Sequence, residues 1–159
     1  SMTTCAYMIT KENEEKLCSF YASDFHLEMI ILPYINKKLE NDEEVVIITE
    51  ENLKESVNVL ISKINLEEKR KTKLLNLNWE NNYEEKIEQL YNCSSRKVCV
   101  IVNGAERFIN KIDKMLNKIS DKNDINIVNC FKIEDIQNHM QDIVLKHTGI
   151  LNTSGLQKI

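Results

Sequence analysis

Lys97-Val98-Cys99-Val100-Ile101-Val102-Asn103 is the stretch that decides the fold. Its centre is a short, continuous apolar run rich in β-branched residues, and a strand covered on both faces has this composition. Glu44–Thr49 carries a second such run, Val45-Val46-Ile47-Ile48, and Ile125–Cys130 a third. Lys16–Tyr21 reads as a short opening strand, and Lys73–Asn78 as a further, less regular one. Helical stripes fill the gaps. From Asp24 to Leu39 the apolar residues fall at Leu27, Ile30, Ile31, Tyr34, Ile35 and Leu39. Ser23 or Asp24 suits the N-cap, and Pro33 should kink or divide this helix. Similar stripes start at Leu53, Tyr83, Phe108 and Ile133. Strand and helix thus alternate about five times. The expectation is an α/β three-layer sandwich, with a mostly parallel central sheet of about five strands and helices on both faces.

The length, 159 residues, suits one domain with a core that needs no disulfide or metal. Residues 1–15 read as an N-terminal extension, and 147–159, with Gly149 and Gly155, as a tail or an edge strand. A net charge of −4 argues against direct nucleic-acid binding. The basic run Lys69-Arg70-Lys71-Lys73 follows Glu67 and Glu68 and suits a solvated linker or helix end. Five scattered cysteines without a CxxC pair suggest a reduced, cytoplasmic chain. No apolar run approaches the ~18 residues of a membrane span, and no leader pattern opens the chain. Neither the cysteines nor the three histidines have zinc-ligand spacing, so no metal and no cofactor is expected.

In an open α/β sheet, ligands bind beyond the carboxyl ends of the strands. The candidate ligand-binding residues there are Tyr21, Ser23, Asp24 and His26 after the first strand, Glu50 after the second, Asn103 and Arg107 around the next, and Cys130. Ser23 and Asp24 also suit a helix cap, Asn103-Gly104 a plain turn, and Cys130 simple packing. The first strand-to-helix connection is where a phosphate-binding loop would sit. It has no glycine and no Lys-Ser/Thr pair, so P-loop hydrolysis is not expected. No GxSxG, HExxH or GxGxxG occurs either. An enzyme built on Cys18, His26 or Cys130 stays open as a minor alternative.

The opening Cys18-Ser19-Phe20-Tyr21, the helix bearing Leu32-Pro33-Tyr34-Ile35, and Glu43-Glu44-Val45-Val46-Ile47-Ile48 together resemble the start of MEDS sensory domains. Asn129-Cys130-Phe131 and Lys146-His147-Thr148-Gly149-Ile150-Leu151 resemble that family's ending, with Thr148 where its proline stands. Asn41-Asp42 replaces the glycine that customarily precedes the second-strand glutamate. The resemblance implies a RecA-like (KaiC-related) sandwich with a degenerate phosphate loop. Its implied role is a non-catalytic sensor or regulatory domain that binds a small-molecule ligand or a regulatory protein partner, without a membrane. The alternative is a ligand-free interaction module that pairs with a partner or with a second copy as a homodimer.

Overall fold

The computed structural model describes residues 15–92, 97–119 and 124–159. Its strands are β1 (Lys16–Tyr21), β2 (Glu44–Thr49), β3 (Val98–Gly104), β4 (Ile125–Lys132), β5 (Gly149–Asn152) and β6 (Gly155–Lys158). The helices are α1 (Asp24–Glu40), α2 (Lys54–Lys63), α3 (Glu68–Leu75), α4 (Tyr83–Asn92), α5 (Glu106–Asn117) and α6 (Met140–Leu145). A single six-stranded sheet runs in the order β2-β3-β4-β1-β5-β6. All pairings are parallel except the β5–β6 hairpin. The expected α/β sandwich is present with six strands, the last two coming from the 147–159 tail.

Burial explains why the central strands read as unbroken apolar runs. Every residue of β3 is buried, because both of its faces are covered. On one face Leu17, Ile47, Cys99, Ile101, Val128 and Cys130 pack beneath α1, α2 and α3. On the other, Cys18, Ile48, Val100, Val102, Ile127 and Phe131 pack against α4, α5 and α6. The β1 connection therefore leads to one face and those of β3 and β4 to the other, while the β2 connection leaves on the first face through α2 and α3 and crosses to the second through α4. The crevice between β1 and β4 is a topological switch point, the place where such sheets leave room for a ligand.

Three local expectations are corrected. Residues 73–78 form no strand; Lys73–Leu75 ends helix α3, and Trp79 Nε1 donates to Leu74 O at 2.8 Å just beyond it. β2 stays at the edge of the sheet, and one of its carbonyls, Ile47 O, accepts from Lys86 Nζ of α4 at 2.5 Å. Pro33 lies inside α1 without dividing it. Pro33 and Met29, whose carbonyl the proline leaves without an N–H, are both exposed, so water can satisfy that group. The helix expected from Ile133 onward is a 3₁₀ turn, Ile133–Asp135, followed by the short α6. Asn138 and His139 between them are weak helix formers. Of the two placements expected for the basic run, linker or helix end, it takes the helical one, in α3, where Arg70 pairs with Glu40 at 2.8 Å.

Candidate functional site

The loop after β1 is two residues long, Ala22-Ser23, and the Ala22 amide is bound internally. Ser23, extended at φ −151°, caps α1 by accepting from His26 N at 3.1 Å. His26 Nδ1 in turn accepts from Ala22 N at 2.9 Å. This is a variant of the reciprocal capping box, with histidine in place of the usual Glu or Gln. Asp24 adds a carboxylate to the same turn. Two amides of this turn, Ala22 N and His26 N, are thus held by side chains rather than left for an anion, beside a negative charge.

Beneath that loop a polar row crosses the sheet. Thr49 pairs in register with Asn103, Asn103 with Cys130, and Cys130 with Ser19, and all four are buried. Thr49 Oγ1 donates to Glu51 O. Tyr21, 2% exposed, lies on the far side of β4 from Asn103, whose side chain acts on its phenol across that strand. Burial pushes the Tyr21 phenol above its ordinary range, with the Asn103 side chain opposing. Ser19 Oγ and Asn103 Oδ1 are buried without a hydrogen-bond partner. Lys132 of β4 bridges to Glu51 at 3.6 Å at the same end of the sheet.

The crevice between β2 and β3 is closed by Glu50. Its amide donates to Asn103 O at 3.0 Å, and its Oε1 accepts from Ala105 N at 2.9 Å, at the N-cap of α5. Gly104 makes this approach possible. It adopts φ +154°, and a Cβ there would lie 2.8 Å from both Glu50 Cβ and Glu50 Oε1. Glu106, in the first turn of α5, meets His139 Nε2 at 2.7 Å. Arg107 is exposed on that turn.

The eight candidates thus divide. Tyr21, Asn103 and Cys130 lie together in the buried row, while Ser23, His26 and Glu50 hold caps and loops. Asp24 and Arg107 remain on the rim. Sequence reading missed Ser19, although a hydroxyl inside an apolar strand was the available sign, and it missed the Glu106–His139 contact. The three described thiols, Cys18, Cys99 and Cys130, are all buried. Burial pushes Cys18 up to about 11, Cys99 up to about 12, and Cys130 higher still. Cys5 and Cys93 lie outside the described residues. Among the described residues no group of three His, Cys, Asp or Glu can hold a metal ion. No described helix is long and apolar enough to cross a membrane.

A cleft of about 470 Å³ lies away from this polar row, between α1 and the β5–β6 hairpin. Tyr34, Lys37, Lys38, Asn41, Asn152 and Ser154 line it. Lys38 sits 5.1 Å from the Tyr34 ring centroid and pairs with Glu43 at 3.5 Å, so its charge is already matched. No known protein-family model matches the chain, and no curated protein or solved structure does so significantly.

Proposed function

We propose that this chain is a non-catalytic, cytoplasmic sensory or regulatory domain that takes a small ligand or a protein partner at the carboxyl ends of its strands. The observation that carries the reading is the first turn, where the Ala22 and His26 amides are taken by His26 Nδ1 and Ser23 Oγ at the place where a nucleotide-hydrolysing sheet would present amides to phosphate. The buried, partnerless Ser19 Oγ and Asn103 Oδ1 under Tyr21 support ligand contact at the same end. The sheet order β5-β1-β4-β3-β2 is compatible with the RecA-like frame of the MEDS resemblance. The protonated, buried thiols count against a cysteine enzyme.

The test pairs a phosphate-release assay with a thermal-shift panel of Mg²⁺–ATP, ADP, cyclic dinucleotides and metabolites. No hydrolysis is expected, with one compound class raising the midpoint. A ligand at 100 times its dissociation constant adds about 2.7 kcal/mol. Steady phosphate release abolished by Ser23→Ala or Asp24→Asn would sink the reading. A second reading, an interaction module, draws on the edge strand β6 and the exposed Leu145, Leu156 and Ile159. Analytical ultracentrifugation distinguishes it, since a strict monomer across the micromolar range speaks against pairing through that edge.

A further inference from the structure

The two edges of the sheet differ. At β2 the Ile47 carbonyl is taken by Lys86, whereas along β6 Leu156, Gln157, Lys158 and the following Ile159 are all exposed. The register of the β5–β6 hairpin fixes which backbone groups of that edge are free. Ile159 N donates to Thr148 O at 3.1 Å, while Ile150 stands opposite Gln157 and Asn152 opposite Gly155. Hydrogen-bonded pairs alternate along an antiparallel ladder, so Gly155, Gln157 and Ile159 turn their backbone groups toward β5. Leu156 and Lys158 turn theirs outward, two N–H donors and two carbonyl acceptors with no further strand among the described residues.

Side chains alternate in the same way. Leu156 stands opposite Leu151, which packs in the α1 layer, so Leu156 and Lys158 share that face. Gly155, Gln157 and Ile159 share the other face with Ile150, which packs in the layer of α4, α5 and α6. Leu145 of α6 belongs to that layer, and it and Ile159 are 72% and 61% exposed.

We propose that β6 pairs antiparallel with β6 of a second copy of this chain, about a two-fold axis at Gln157, so that the sheet runs on through both copies. The strand is self-complementary in this register. Leu156 exchanges two backbone hydrogen bonds with the partner's Lys158, and Lys158 two with the partner's Leu156, which satisfies every free group of the edge. Gln157 faces the partner's Gln157 in a non-hydrogen-bonded pair, where the two side-chain amides can bond each other. Gly155 faces the partner's Ile159 and leaves room for that exposed side chain. Lys158 lays its stem along the partner's Leu156 and keeps its ammonium in water, with no like charge opposite. The neighbouring two-fold registers are poorer. An axis at Lys158 sets lysine against lysine, and an axis at Leu156 puts Lys158 opposite Ser154, in the turn outside β6. Contacts of this kind are isologous and close at two copies. This pairing rests on the interaction-module reading, to which it adds the partner, the strand and the register.

The experiment is sedimentation velocity of the full chain from micromolar to millimolar concentration, where a monomer–dimer equilibrium is expected. Gln157→Glu and Gln157→Lys each set like charges across the axis and should each weaken the dimer roughly fivefold, while mixing the two variants restores it. Lys158→Pro removes an outward N–H that β5 does not use, and should weaken the dimer at least as far with Tm unchanged. Gln157→Cys should form an intermolecular disulfide faster than the parent or Lys158→Cys, because the axial Cα atoms lie about 4.5 Å apart, within disulfide reach. A dimer indifferent to all these changes overturns the β6 pairing and leaves the interaction reading standing. A monomer throughout overturns both. Binding of a foreign extended peptide along β6, with no self-association, overturns the proposal and keeps the edge as an interaction surface.

Discussion

Gly104→Ala tests the architecture of the strand ends most directly. The added Cβ would meet Glu50 Cβ and Oε1 at 2.8 Å and Phe108 Cδ2 at 3.0 Å, on a backbone at φ +154°. Glu50 Oε1 ends a flexible, exposed side chain and can swing away, but Glu50 Cβ cannot move without β2. The backbone conformation, rare outside glycine, costs roughly 1–3 kcal/mol in an alanine. Displacing the Glu50 carboxylate from Ala105 N removes a cap worth about 1 kcal/mol. Together these give a loss of about 3 kcal/mol, and a drop in Tm of roughly 6–12 °C for a chain of this size. Urea unfolding followed by circular dichroism measures it, with Glu50→Gly and the double variant completing a cycle. The double variant should lose at least about 0.5 kcal/mol less than the sum of the two single changes. A Gly104→Ala protein within about 0.5 kcal/mol of the parent would refute the close approach of β2 to the start of α5.

Ser23→Ala should destabilise by about 1 kcal/mol, read from denaturant midpoints, because His26 N loses its acceptor. Lys86 donates from one ammonium to Ile47 O, Asn78 O and Glu80 O, and burial lowers its pKa to about 8, with Glu80 opposing. The unfolded chain therefore holds more protons between about pH 8 and 10.5. Over that window the parent should gain stability with rising pH relative to Lys86→Met, and parallel pH profiles would contradict this. His147 is pushed below its ordinary pKa chiefly by burial, and its ring meets Ile143 O at 2.6 Å and Asn129 Nδ2 at 3.2 Å. The unfolded chain takes up this proton first, so the stability it contributes is present above about pH 6.5 and lost below it. His147→Gln should flatten that acid limb in pH-dependent melts. Thiol labelling mapped by mass spectrometry should find Cys18, Cys99 and Cys130 modified no faster than global unfolding. Rapid native labelling of Cys130 would contradict its burial.

The apolar runs of β2, β3 and β4 were legible because a strand buried on both faces needs apolar residues at every position. The cap at Ser23 was equally legible, being set by residues three apart. Lys73–Asn78 was not. Leu74, Leu75 and Leu77 fit a poor strand as well as a helix end, and only the packing of Leu74 into the core with α1 and α2 shows the helix. The candidate site was half legible. Position at the strand ends picked out Tyr21, Asn103 and Cys130, yet nothing local says that Asn103 acts on Tyr21 across β4. Glu50 and Ala105 are 55 positions apart, and their contact depends on the two strands lying side by side.

Local chemistry therefore determined the elements, since apolar periodicity and capping act over a turn or a strand. That is why the α/β alternation can be read along the chain. Tertiary structure decided which polar groups meet and which are left alone. Glu28 is an ordinary helix glutamate in the sequence, and it becomes a buried acid beside an apolar groove only when α2 and α3 pack over it. Ser19 and Asn103 lose their water in the same way, when β4 and β1 close the sheet. Desolvation belongs to the assembled layers and to no single segment, so the sequence carries the groups while packing sets what they can bind.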